Sequence, residues 1–283
     1  MTNSVAQHRF AFILFSGFLA YWMVWLWPGS TYSETTGSPL SSATAPTIPS
    51  FDSIPSTPEG DRIRLGYNLI MNTQTYAKAF VGNSLSCRNC HLDAGRKVGA
   101  GTYVGVIYAY PRYKARVARE ISLEDRINEC FERSMNGKPL PAGSPEMTAI
   151  HAYMSWLSQS VSPSAELFWL GFPTLPLKER PDQQKGKRLF LGTCATCHGA
   201  DGHGTSLAPP LWGPQSFNIA SGLARVSKAA AFIKANMPIT QPGMLSESDA
   251  YDIAAFMNSH PRPDYSLKAF DYPKGGKPAD SPY

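Results

Sequence analysis

Cys87-Arg88-Asn89-Cys90-His91 and Cys194-Ala195-Thr196-Cys197-His198 are two copies of one five-residue pattern, and they hold four of the five cysteines in a chain of 283 residues. In Cys-x-x-Cys-His the two thiols are spaced for thioether bonds to a haem, and the histidine that follows can ligate its iron. Two copies predict two covalently bound haem c groups, one on Cys87, Cys90 and His91 and one on Cys194, Cys197 and His198. A structural zinc site is the rival chemistry, but its cysteine pairs usually stand about 15 to 20 residues apart. Here Cys90 and Cys194 are 104 positions apart. A thioredoxin-like dithiol explains neither the histidines nor the repetition.

Around each motif the pattern of apolar residues repeats. Gly66 and Ile70 precede the first motif as Gly186 and Phe190 precede the second, with a spacing suited to one helical face. Each unit closes with an amphipathic segment. In the first, Ser144-Pro145 opens a helix whose apolar face is Ile150, Tyr153, Met154 and Leu157; in the second, Ser246-Glu247-Ser248-Asp249 leads into Ile253, Phe256 and Met257. This order of helix, irregular middle and closing helix resembles the class I cytochrome c plan, and the resemblance implies an all-α fold of two tandem class I cytochrome c-type domains, each carrying one covalent haem, after an N-terminal hydrophobic segment.

The predicted boundaries follow composition. Residues 1–27 combine Arg9 with an 18-residue charge-free stretch from Phe10 to Trp27, the order of an export signal. That stretch is longer than a usual signal core of about 7 to 15 residues. The small-x-small triplet Ala43-Thr44-Ala45 lies far downstream and precedes Pro46. An uncleaved membrane anchor is therefore favoured over a cleaved signal, and both place the remainder in the periplasm. Residues 28–55, rich in Ser, Thr, Pro and Gly, read as a disordered tether. Residues 56–175 form the first cytochrome domain, 176–184 a proline-marked linker, 185–263 the second domain, and 264–283 a flexible Pro/Gly/Lys-rich tail. The net charge of +5 is spread along the chain without a dense basic block, which argues against nucleic acid and favours small anions or acidic partners.

A proximal histidine leaves one axial position on each iron, which Met, His, Cys, Lys or water can fill. In the second unit Met237 stands 39 positions after His198, in an irregular stretch, and is the favoured ligand over Lys234, Met244 and Met257. In the first unit Cys130 stands the same 39 positions after His91. Met135 could instead ligate this iron, His151 is a further candidate, and Cys130 could be no more than a small buried hydrophobe. Thioether ligation raises an iron's potential, which suits the second haem to pass electrons outward.

The segments Cys90-His91-Leu92-Asp93-Ala94-Gly95-Arg96-Lys97 and Arg126-Ile127-Asn128-Glu129-Cys130-Phe131-Glu132-Arg133-Ser134-Met135-Asn136-Gly137 resemble the dihaem thiosulfate dehydrogenases, and the likeness covers roughly residues 57 to 263. The resemblance implies a catalytic haem with His/Cys ligation, a second haem ending in His/Met or His/Lys ligation, and the joining of two thiosulfates into tetrathionate. It maps Cys130 onto the catalytic cysteine and Asn236-Met237 onto the second-haem segment, with Asn236 where some relatives carry lysine. Thiosulfate and tetrathionate are then the small-molecule partners, and a small c-type cytochrome or another redox acceptor takes the electrons. From Asp93 to Glu120, Arg96, Lys97, Arg112, Lys114, Arg116 and Arg119 face only Asp93 and Glu120, so the segment is locally positive. Arg112, Arg116, Arg126, Arg133 and Ser134 are the expected anion-binding residues, because guanidinium forks suit sulfonate oxygens. The rival from another class is a non-catalytic, membrane-tethered dihaem electron carrier, which needs both histidines but no thiolate.

Overall fold

A computed structural model describes residues 46–283. The anchor expected at 1–27 and most of the tether lie outside the described residues. Among the described residues no helix is long and apolar enough to cross a membrane.

The first half is built on α1 (Pro58–Met71) and α4 (Pro145–Leu157), which pack across each other. α4 starts as the sequence predicts, and α1 uses the same device: Pro occupies the first turn, and the Thr57 and Ser144 side chains accept from the Gly60 and Met147 amides. A side-chain carbon on Gly66 would lie 2.0 Å from the Ala149 carbonyl oxygen, so only glycine permits this crossing. The second half repeats the device with α5 (Gln183–Leu189) and α8 (Glu247–Asn258), where Gly186 meets the Asp252 carbonyl at the same 2.0 Å. Ile70 and Phe190, each four residues on, are fully buried. One continuous apolar core runs from Ile54 through Phe131 and Tyr153 to Phe190, Trp212 and Met257.

The routes to the two motifs differ. From α1 the chain passes through the short α2 (Thr73–Tyr76) before reaching Cys87, whereas α5 runs through a π-helical turn, Phe190–Cys194, directly into α6 (Ala195–His198). Besides short 3-10 and π turns, the described residues also form β1 (Arg112–Lys114), β2 (Arg119–Ile121), α3 (Leu123–Glu129) and α7 (Val226–Asn236). β1 and β2 form an antiparallel hairpin with Tyr113 opposite Glu120, a small correction to the all-α expectation.

Two segments next to the expected boundaries are packed. The segment expected to be a tether up to residue 55 is already packed: Phe51 sits 4.7 Å from the Tyr67 ring, Arg96 stacks over it, and Ile54 is buried. Phe51 and Ile54 supply aromatic and aliphatic area for this packing. Residues 264–283, expected to be flexible, are held by ion pairs. Arg133 donates to both carboxylate oxygens of Asp271, at 2.7 and 2.8 Å, and Asp280 accepts from Arg225 Nε and the Ser227 amide.

Candidate functional site

His91 is fixed before any iron is considered. Its Nδ1–H donates to the Gly101 carbonyl at 2.5 Å, which leaves Nε2 as the free ligand nitrogen, and its ring stacks on Tyr103 with centroids 4.5 Å apart. The second unit copies this, with His198 Nδ1 donating to the Pro209 carbonyl at 2.8 Å. Burial lowers the His198 pKa, the direction that keeps an imidazole neutral and able to bind metal.

Four residues after each histidine comes a glycine with positive φ, Gly95 at +80° and Gly202 at +66°. A side-chain carbon there would enter the Tyr103 ring at 2.0 Å or the Trp212 ring at 2.1 Å. Gly95→Ala is therefore expected to cost about 1–2 kcal/mol for the left-handed backbone and about 1–3 kcal/mol for overpacking. It should also disturb the Tyr103 ring that backs His91. Thermal melts with haem-content measurement check this; an unchanged melting temperature would contradict it.

Cys130 is placed by the helix that precedes it. Ser122 and Asp125 cap each other's amides at the start of α3, which sets Arg126 and Cys130 four residues apart on one helical face. The α-helix widens at Cys130 into a π-helical turn, Cys130–Ser134, a form that recurs at functional sites. Arg126 Nη1 donates to Cys130 Sγ at 2.8 Å. Burial alone would raise the Cys130 pKa, but the Arg126 guanidinium, with His91 alongside, outweighs it and holds the thiol at about 7. Glu129, the neighbouring carboxylate that would oppose a thiolate, is paired with Lys114. The motif thiols behave differently: burial pushes Cys87 and Cys90 up to about 12 and Cys194 up to about 11.

His91, Cys87 and Cys130 line one open cleft, together with Arg112, Arg126 and Tyr110. Its apolar walls come from Ile70, Ile127, Phe131, Ile150 and Leu170. None of the five cysteines is in a disulfide. A cleft lined by a motif thiol, an imidazole held by its far nitrogen and a second sulfur donor, with apolar walls, fits a covalently held haem.

The expected anion-binding residues divide. Arg112 and Arg126 line the cleft, and the Arg112 guanidinium lies 4.8 Å over the Tyr110 ring. Arg133, Arg116 and Ser134 face the second half of the molecule instead. Arg133 is bound to Asp271, Arg116 donates to the Ala220 carbonyl at 2.8 Å, and the Ser134 hydroxyl meets that of Ser221 at 3.2 Å. Of the rival ligands in the first unit, Met135 is buried in the core away from the cleft lining, and His151 is half-exposed beside Glu124. In the second unit Met237 ends α7 and packs against a cluster of Leu92, Ala100 and Phe232. Lys234 donates to the Gly243 and Leu245 carbonyls, Met244 is exposed, and Met257 is buried on α8. Sequence reasoning missed Tyr103, Tyr110 and the Gly101 and Pro209 carbonyls.

Residues 72–162 match the family model of the SoxA/TsdA cytochrome c domain, and residues 181–257 match that of cytochrome c oxidase, cbb3-type, subunit III. With the two Cys-x-x-Cys-His sites, this defines a c-type cytochrome of two domains that binds haem c. The chain is 43% identical over 227 residues to a thiosulfate dehydrogenase of Allochromatium vinosum, covering 77% of this chain and 84% of that protein. It is 38% identical over 256 residues to one of Psychrobacter arcticus, covering 88% and 78%. A solved structure of thiosulfate dehydrogenase (TsdBA) from Marichromatium purpuratum superposes with a TM-score of 0.75 at 35% identity, over 83% of this chain and 54% of that one. The chain belongs to the thiosulfate dehydrogenase family of oxidoreductases.

Proposed function

We propose that the protein holds two covalent haem c groups and oxidises two thiosulfates to tetrathionate at the first of them, with electrons leaving through the second to a small c-type cytochrome or another external acceptor. The observation that carries this reading is Cys130 Sγ lining the same cleft as His91 while accepting a hydrogen bond from Arg126 at 2.8 Å. A simple electron carrier needs no guanidinium-bonded thiol.

The haems, when bound, supply two one-electron acceptors. In this reading His91 and Cys130 would hold the iron of the first haem, and His198 and Met237 that of the second. Cys130, as thiolate, forms a bond to the sulfane sulfur of one thiosulfate, and the pair gives up two electrons to become a cysteine S-thiosulfonate. A second thiosulfate then attacks that sulfane sulfur, the bond to Cys130 breaks, and tetrathionate leaves with the thiolate restored. Charge balances: thiolate and a dianion lose two electrons to give a monoanionic adduct, and the second dianion returns thiolate plus tetrathionate dianion. Arg126 and Arg112 offset the repulsion between the two dianions. The same groups serve tetrathionate reduction, and the direction depends on the potentials of the haems and the acceptor. The N-terminal segment is read as an export anchor that keeps this chemistry in the periplasm.

Thiosulfate-dependent reduction of the protein's own haems tests the reading directly; no reduction at saturating thiosulfate would end it. Arg126→Gln removes the charge beside the sulfur, and a loss of roughly 10²-fold in kcat/KM is expected, as for deletion of one preorganised donor. Steady-state kinetics check this, and unchanged kcat/KM would contradict the role of Arg126.

A further inference from the structure

We propose that the C-terminal segment 264–283 positions Cys130, and that Asp271 is the positioning residue through which it acts; this rests on reading Cys130 as the reacting thiol. Cys130 opens a π-helical turn of five residues, a weak element by itself. Three successive carbonyls of that turn are held from outside it. Glu132 O accepts from Asn218 Nδ2 at 2.9 Å, Arg133 O from the Asn218 amide at 3.1 Å, and Ser134 O from Asn83 Nδ2 at 2.9 Å. The side chain of the same turn that reaches the tail is Arg133. It is 7% exposed, Asp271 is 3% exposed, and the two form a bidentate pair.

The tail closes on this pair from several directions. The Tyr265 ring lies 4.4 Å from the Arg133 guanidinium, Tyr283 O–H donates to Asp271, and Arg116 Nε approaches Asp271 to 3.8 Å. The Tyr272 amide donates to the Arg116 carbonyl at 2.7 Å. Beyond it, Asp280 fastens the tail to the first turn of α7 through the Ser227 amide at 3.0 Å. The tail thus joins the turn that begins with Cys130 to the helix that ends at Met237. Cys130 and Arg133 share one turn, so a shift of the Arg133 anchor moves the sulfur with it. Reactions that depend on alignment lose about 10²-fold for a displacement of about 1 Å.

The test uses the full-length protein with both haems attached, as Asp271→Asn, Asp271→Glu and the milder Tyr283→Phe. The readouts are the thiolate signature in the electron paramagnetic resonance of the oxidised first haem, and kcat and KM for thiosulfate well below the melting temperature. For Asp271→Asn a split or shifted thiolate signal is expected, with kcat lower by about tenfold or more and KM changed less than about threefold. Partial recovery is expected in Asp271→Glu, and a smaller change in the same direction in Tyr283→Phe. Wild-type signal and kcat in Asp271→Asn, with only a lowered melting temperature, would overturn the proposal and leave the tail a stabilising strap. Should Asp271→Asn fail to fold, Tyr283→Phe decides by the same two readouts. An unsubstituted protein with no thiolate signal would remove the reading of Cys130 and this proposal with it, a failure distinct from an unresponsive Asp271.

Discussion

Replacing Cys130 with glycine is expected to leave both haem groups attached and to lower thiosulfate oxidation by about 10³-fold or more, the scale seen when a nucleophile is deleted. In the proposed reading attachment rests on Cys87, Cys90, Cys194 and Cys197, none of which the substitution touches. The loss should be large because Cys130 is the cleft-lining sulfur that accepts from Arg126, and the nearby Met135 is buried in the core. Haem stain after denaturing electrophoresis reports attachment, and thiosulfate-dependent cytochrome reduction reports activity. Full activity with both haems retained would show that Cys130 is only a packed side chain.

Asp271→Ala should be the most destabilising substitution of a charged residue in the tail. It leaves Arg133, with a side chain only 7% exposed, as a buried guanidinium without its carboxylate. Breaking a buried pair from one side costs about 3–5 kcal/mol, which for a domain of this size corresponds to a fall in melting temperature of roughly 6–20 °C. The effect carries a pH signature. Burial alone would raise the Asp271 pKa, but hydrogen bonds from Arg133 and Tyr283 and the charges of Arg133 and Arg116 hold it below the ordinary carboxylate range. A carboxylate with a depressed folded-state pKa stabilises the protein above its unfolded pKa of about 4, and that contribution disappears as pH falls through the folded-state value. The gap between Asp271→Ala and the parent should be full at neutral pH and narrow in acid below about pH 4. Melting curves between neutral and acid pH check this; a gap that widens in acid would contradict it.

The features readable from the sequence were those with local signals. Ser144 and Ser246 cap α4 and α8 because a hydroxyl next to an apolar helical period has one favourable use there. The equal spacing of 39 residues in the two units drew attention to Cys130, and the cleft brings that residue to the same cavity as His91. The remaining features depend on partners distant in the chain. Arg133 and Asp271 are 138 positions apart, and neither residue's neighbours betray the pairing. For the same reason Arg116 and Arg133, alike in sequence to Arg112 and Arg126, were not separable from them until the second half of the molecule supplied Ala220 and Asp271 as partners. The tail reads as loop because Pro, Gly and Lys carry no helical period, yet its order comes from Asp271, Asp280 and Tyr283 meeting cations and amides elsewhere. Tyr103 was obscured by its position eight residues past a glycine-marked turn, where only the fold brings its ring under His91.

Electron paramagnetic resonance of the fully oxidised protein, compared with Cys130→Gly, tests the role of the fifth cysteine most directly. One low-spin His/thiolate species is expected in the parent, absent from the variant, with the signal of the second haem the same in both. Two ordinary His/Met haems in the parent, unaltered by the substitution, would contradict it.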